Sequence, residues 1–301
     1  MSGDTKLSLI RGIKSDVLES SEKMSLIDLF LRGAEKYADK GISIFDRRGN
    51  SSEKKCYPEI VENIKGTAER LRVQGIRAKD TVLLCLPTSW ELLDLWLGCV
   101  YLGAYPAAIA PAVGKGLGPS SHFSERLERF CSVIDASLLV GSDSLVEGVV
   151  EKGVDPLRDI SVSPTQLEKN EVKNIPERYL AKGDDLAFLQ FTSGSTGIPR
   201  AVMIPHRTLI HNIHAINCGL GLSPGKAASE FAEAFVSWLP LNHDMGLIST
   251  LFAVRFGLDV ILMNPATFLA RPVTWLKAMS GRRCLTAAPN FGYQFCVERI
   301  K

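Results

Sequence analysis

This chain has no surplus of one charge, no paired cysteines and no unbroken apolar run of membrane-spanning length. Lys and Arg total 35 against 33 Asp and Glu, a formal net charge of +2. A chain that neutralises many phosphates is usually more basic, so charge gives no support to a nucleic-acid or anionic-membrane role. The seven cysteines are odd in number and scattered, and none forms C-x-x-C. That excludes a disulfide framework and reads as reduced thiols in a cytoplasmic protein. Met1 to Ser20 is charged throughout and lacks the apolar core of a secretory signal. Leu92 to Val113 is apolar apart from Asp94, yet Gly98, Gly103, Pro106 and Pro111 interrupt it. It reads as a buried helix to about Leu102, a glycine turn and a short strand, so no transmembrane segment is expected. No internal repeat or low-complexity tract is present.

What is there is globular. Hydrophobic residues make up 46% and charged residues 23% of 301 positions. At about 150 residues per domain, the length points to two units. We place them at 1–183, a first α/β subdomain plus a connecting segment, and 184–301, a second and incomplete one. Leu26, Leu29, Phe30 and Ala34 share one helical face. Thr81 to Leu86 is a continuous apolar run of strand length, as suits a strand covered on both faces of a parallel sheet. Pro58 suits the first turn of a helix and Gly75 its end, and Ser89 suits the cap of the next. Strand–helix alternation resumes from Asp185, after the charged and Pro-containing stretch 153–183. It includes a helix over 272–279 and one opening at Asn290. The fold class is therefore α/β, with layered subdomains and mostly parallel sheets.

The most informative run is Phe188 to Met203. An apolar strand enters Thr192-Ser193-Gly194-Ser195-Thr196-Gly197, Pro199 and Arg200 close the loop, and a second strand leaves. Glycines let backbone N–H groups turn toward an anion, and hydroxyls add donors without bulk. The segment is neither a Walker A loop nor a nucleophile elbow. On composition alone two readings stand side by side: a phosphate cradle and a flexible Ser/Gly hairpin turn. His243 also has two readings. Beside Asp244, between Pro240 and Gly246, its imidazole can orient an anionic substrate oxygen; alternatively the pair marks a helix start, with Asp244 as N-cap. His206, His211 and His214 gather no carboxylate or thiolate, so no metal centre is expected there.

The hexamer with its two strands resembles the phosphate-loop signature of the AMP-forming acyl ligases, the adenylate-forming enzymes. A second block, Ser237 to Leu247, and a third, Ala288 to Val297, are most similar to the fatty-acyl-AMP ligases. The resemblance runs from about Ser25 to Lys301. It implies the fold of the N-terminal domain of those enzymes. It implies ATP and Mg²⁺ as cofactors, with Thr192, Ser193, Gly194, Ser195, Thr196, Gly197 and Arg200 on the ATP phosphates and Thr196 on the metal. Trp238, His243, Asp244, Met245, Gly246, Pro289, Asn290 and Phe291 are implied around the carboxylate and the acyl pocket. His243 and Arg200 are implied as catalytic. The implied reaction is attack of a medium- or long-chain fatty carboxylate on the ATP α-phosphorus, giving acyl-adenylate and pyrophosphate. The acyl group then passes to an acyl carrier protein or a polyketide or peptide synthase. An acyl-CoA synthetase and a non-catalytic acyl- or partner-binding module are the alternatives.

Two residues depart from the signature. Arg200 stands in place of the usual Lys and Ala201 in place of the usual Gly, and Arg at a phosphate is planar and bidentate where Lys is a point charge. The family's later motifs and its mobile C-terminal domain lie beyond Lys301, where the chain stops inside an apparent helix. The ending reads as a truncation. The 301 residues alone are expected to be inactive or impaired unless a second chain supplies the missing half.

Overall fold

The computed structural model describes residues 24–45, 50, 53–111, 121–151, 155–192, 199–221 and 228–300. The helices are α1 (Leu26–Lys36), α2 (Tyr57–Val73), α3 (Trp90–Leu102), α4 (Ser121–Ile134), α5 (Asp143–Glu151), α6 (Asp155–Arg158), α7 (Pro164–Leu167), α8 (His206–Gly219), α9 (Asp244–Arg255), α10 (Pro265–Ala270), α11 (Val273–Met279) and α12 (Asn290–Arg299). The strands are β1 (Gly41–Phe45), β2 (Lys55–Cys56), β3 (Thr81–Cys85), β4 (Tyr105–Ile109), β5 (Leu138–Gly141), β6 (Ser161–Val162), β7 (Leu186–Thr192), β8 (Arg200–Pro205), β9 (Ala234–Ser237), β10 (Asp259–Met263) and β11 (Cys284–Leu285).

These strands form a six-stranded sheet, β6-β5-β3-β4-β7-β8, and a five-stranded sheet, β11-β9-β10-β1-β2. Pairing is parallel except at one edge of each sheet, where β8 runs antiparallel to β7 and β2 to β1. Mixed α/β architecture with mostly parallel sheets is thus what the alternation predicted. Neither sheet keeps to one side of the expected 183/184 division. β1, from the first stretch, pairs with β10, and β7, from the second, pairs with β4. Composition marks the charged connection at 153–183, but long-range register decides which sheet a strand joins.

The layers follow from side-chain alternation along the strands. In β3, Val82 and Leu84 enter the core that holds α1, α2, α3, α8 and α9, while Leu83 and Cys85 enter the core under α4 and α5. In β10, Val260 and Leu262 join that same central core, and Ile261 and Met263 join a third with Phe268 and Trp275. One helical layer therefore lies between two sheets, and each sheet carries a further helical layer outside. This explains the apolar run at 92–102. α3 is covered nearly all round, with ten of its residues buried from Leu92 to Leu102. No helix among the described residues is long and apolar enough to cross a membrane.

Local signals placed most helix ends. Ser89 Oγ accepts from the Leu92 N–H at 3.3 Å, and Gly75 has φ 109 just past α2. Two differences stand out. The short strand β2 was not expected. The helix expected over 272–279 is α11, and a further short helix, α10, precedes it, because Asn264 caps a start with Pro265 in its first turn. The cysteines are unpaired, as their scatter predicted.

Candidate active site

The predicted phosphate segment sits at the edge of the six-stranded sheet. β7 and β8 are a hairpin in which Thr192 faces Arg200 in register. Thr192 Oγ1 donates to the Arg200 carbonyl at 3.5 Å, and both residues are exposed at the mouth. Ser193, Gly194, Ser195, Thr196 and Gly197 lie outside the described residues. Of the predicted phosphate ligands, then, the structure describes the two posts of the loop. β8 itself is an edge strand, with Met203 67% exposed.

The predicted acyl wall is built on the five-stranded sheet. Trp238 leaves the end of β9 and is 3% exposed. Its ring stacks on Phe268, centroids 4.0 Å apart and 8° between planes, and meets Trp275 and Phe291 edge-on at 6.2 and 5.6 Å. Gly292 makes the last contact possible: a Cβ there would stand 2.7 Å from Trp238 Cζ2. Trp275 is held in turn through Thr286, which accepts from its indole at 3.2 Å and donates to the Val236 carbonyl at 2.6 Å. The Trp238 Nε1 is buried with no hydrogen-bond partner among the described residues, a donor whose desolvation nothing offsets. Phe291 is 53% exposed, so one side of the wall is open. Pro289 occupies the N-cap position of α12, and Asn290 is its exposed first residue.

The turn between β9 and α9 carries the remaining predicted residues. His243 is the N-cap residue of α9, but its side chain makes no cap hydrogen bond. Asp244 is the first helical residue rather than the cap, and its Oδ1 accepts the Met245 N–H at 2.8 Å. The expectation that Asp244 caps is corrected by one position, because the β-region backbone that defines a cap belongs to His243. His243, Asp244 and Met245 are exposed, whereas Gly246 is buried. A Cβ on Gly246 would stand 2.3 Å from the Pro240 carbonyl oxygen, so only glycine lets the turn fold back onto the helix.

Two regions far apart in sequence meet here. Gln190 Nε2, on β7, donates to the Asn242 carbonyl at 2.5 Å. This bond fixes the strand that enters the hydroxyl-rich segment beside the turn that presents His243. Arg200 makes no hydrogen bond or ion pair to His243 or Asp244 among the described residues. The sequence reading missed Gln190, though one polar residue inside the apolar run Phe188 to Phe191 was a usable signal. It also missed Phe268 and Trp275, whose signal was the Asn264–Pro265 helix start. His206 has a different role from ligation. Its Nδ1 accepts the Leu26 N–H at 3.0 Å, and burial lowers its pKa to about 4, so the ring is neutral. Among the described residues no three His, Cys, Asp or Glu gather as a metal set.

With this geometry in hand, comparison with known proteins is specific. The model of the AMP-binding enzyme family matches residues 30–297. A long-chain-fatty-acid–AMP ligase of Mycobacterium marinum is 39% identical over 240 residues, covering 77% of this chain and 39% of its own. A medium-chain-fatty-acid–[acyl-carrier-protein] ligase of Teredinibacter turnerae is 27% identical, covering 92% and 48%. Among solved structures, a fatty acyl-adenylate ligase from a study of the E. coli and L. pneumophila enzymes superposes with TM-score 0.78 at 28% identity. It covers 92% of this chain and 48% of that one. The chain thus spans about half the length of the relatives it matches. By its matched length and its fold, the chain belongs to the AMP-binding enzyme family.

Proposed function

We propose that this chain is the phosphate-loop and acyl-wall portion of an ATP-dependent fatty-acyl-AMP ligase. In this reading a fatty carboxylate attacks the α-phosphorus of ATP, forming the acyl–phosphate bond of the adenylate and releasing pyrophosphate. The observation that supports it most is the Gln190–Asn242 hydrogen bond, which sets the hairpin and the His243 turn side by side. Thr192 to Gly197 hold the β- and γ-phosphates, with Arg200 as the cation of the loop. His243 orients the carboxylate, with Asp244, Met245 and Gly246 around it. Trp238, Pro289, Asn290 and Phe291 begin the acyl channel. The hydroxyl oxygens of the loop are the hard donors that Mg²⁺ takes, with Thr196 the assigned ligand, and the ion would neutralise charge on the phosphates. The acyl group then passes to the thiol of a carrier protein; the Teredinibacter turnerae relative is named for that acceptor.

The test is ATP–pyrophosphate exchange by the purified chain across a panel of fatty acids, together with calorimetric binding of ATP and of a fatty acid. Exchange or ATP binding that depends on Arg200, falling about tenfold or more in Arg200→Ala, bears the reading out. A folded chain that shows no exchange and binds neither ligand overturns it. Supplying CoA or a phosphopantetheinylated carrier to preformed acyl-adenylate then separates the two acceptors.

A further inference from the structure

A cavity of about 480 Å³, the volume of a small-molecule site, opens where α2, α3, β2 and α7 meet. No residue of the hairpin, the His243 turn or the aromatic wall lines it. Two of its lining residues are chemically incomplete. Asp94 Oδ1, on α3, and Arg70 Nε, on α2, are buried with no hydrogen-bond partner among the described residues. One atom lacks a donor and the other an acceptor, and each such gap costs free energy. Burial raises the Asp94 pKa to about 6 against the pull of Lys55 and Arg70, so the cations already present do not compensate its charge. Beside Arg70 the α2 surface is open: a Cβ on Gly66 would meet only Arg70 Nη1, at 3.7 Å.

The charges lining the cavity do not balance. Glu62 is paired with Lys65 at 2.7 Å. Glu91, Asp94 and Glu168 make no ion pair among the described residues, and Lys55 Nζ lies over the Trp90 ring, 4.3 Å from its centroid. Three carboxylates thus stand against two cations, Lys55 and Arg70. The carboxylates are spread over α3 and α7, and no three acidic groups among the described residues gather as a metal set. Spread charge of this kind fits an organic ion with several charged centres better than a point cation.

We propose that this cavity binds a free amino acid with a basic side chain, a ligand of two positive groups and one negative. Its carboxylate bonds the Arg70 guanidinium, and its α-ammonium bonds Asp94. Its side-chain cation meets Glu91, one turn before Asp94 on the same helix face, and Glu168; both stand exposed at the rim. Water screens those two, so most of the recognition falls on half-buried Asp94 and Arg70. The inference stands on the two unpartnered atoms and the charge count, and does not require the adenylation reading.

The experiment is calorimetric titration of the purified chain with L-lysine at pH 6. Putrescine, which lacks the carboxylate, and L-norleucine, which lacks the side-chain cation, are the controls. L-Lysine is expected to bind, and each control at least about tenfold more weakly. The arriving ammonium favours ionised Asp94, so binding is expected to release protons, read as a difference in heat between two buffers of unlike ionisation enthalpy. Asp94→Asn is expected to weaken L-lysine about tenfold or more and to abolish the proton release. Arg70→Gln is expected to weaken L-lysine but leave putrescine unchanged, and it carries the test if Asp94→Asn fails to fold. Phe291→Ala, at the aromatic wall, is expected to leave binding intact. A folded parent that does not bind L-lysine overturns the proposal, as does equal binding of either control. Binding without proton release, unaltered binding in both cavity variants, or loss confined to Phe291→Ala overturns it too. Adenylation is read separately through Arg200→Ala and pyrophosphate exchange, so either idea can fail alone.

Discussion

α1 and α9 pack against each other in the central layer, yet they begin in opposite ways. The start of α1 is closed. Ser25 Oγ accepts from the Asp28 N–H at 3.2 Å, and Asp28 accepts from the Ser25 N–H at 3.0 Å, a complete capping box. His206 takes the Leu26 N–H, and Arg178 pairs with Asp28. The start of α9 is more open: His243 holds the cap position without a side-chain bond, the two residues that follow it are exposed, and the side-chain bond there is the one Asp244 accepts from the Met245 N–H. A helix start whose N–H groups are satisfied within the protein serves stability. One left unsatisfied keeps its donors and its partial positive charge for an anion. The contrast separates a structural terminus from one suited to a site, on helices of near-equal length and burial.

Four predictions bear on that comparison, in falling order of expected effect. The first uses pH. His206 is neutral when folded, its pKa lowered to about 4, against 6.5 when unfolded. Between pH 6.5 and 4 the unfolded chain binds the proton and the folded chain does not. Stability is therefore full above 6.5 and is lost as pH falls through that window, by about 3 kcal/mol. Asp94 acts oppositely. Burial raises its pKa from 3.8 to about 6, so it gains stability over the same range. We predict that Asp94→Asn, followed by thermal denaturation from pH 7 to 4, reveals a steeper acid loss than the parent shows. A pH profile parallel to that of the parent would show that Asp94 does not offset the acid loss.

Second, Gly246→Ala places a methyl against the Pro240 carbonyl and is expected to cost about 2 kcal/mol in denaturant unfolding while displacing the His243 turn. Third, Ser25→Ala removes the cap of α1 and is expected to cost about 1 kcal/mol with ligand binding unchanged. Fourth, His243→Ala removes no cap bond, so its unfolding free energy should stay within about 0.5 kcal/mol of the parent. Fatty-acid binding should weaken in that same variant. A destabilisation as large as that of Ser25→Ala would show that α9 is closed after all.

The architecture was readable wherever one local rule sufficed. Thr81 to Leu86 reads as a doubly covered strand because both faces are apolar, and Ser89 reads as a cap because its hydroxyl reaches one turn ahead. α10 escaped notice because at six residues it shows less than two turns of periodicity, and β2 because two residues carry no pattern. At the site, Trp238 and Phe291 were expected to share a wall and their rings do meet. Asp244 was one position off because Asp suits both the cap and the first turn of a helix, and only backbone angles separate them.

The sequence by itself determined the α/β alternation, the parallel core strands, the reduced thiols and the motif that names the family. Each of these is written in residue spacing or in a contiguous string, and short-range sterics and hydrogen bonding suffice to read it. Tertiary structure alone decided that β1 crosses to the second sheet and that Gln190 ties the hairpin to the Asn242 turn. It alone decided that His206 closes a helix 180 residues away in sequence. These depend on which surfaces meet when two sheets bury one helical layer, and that choice is made by long-range packing and register, which no local spacing encodes.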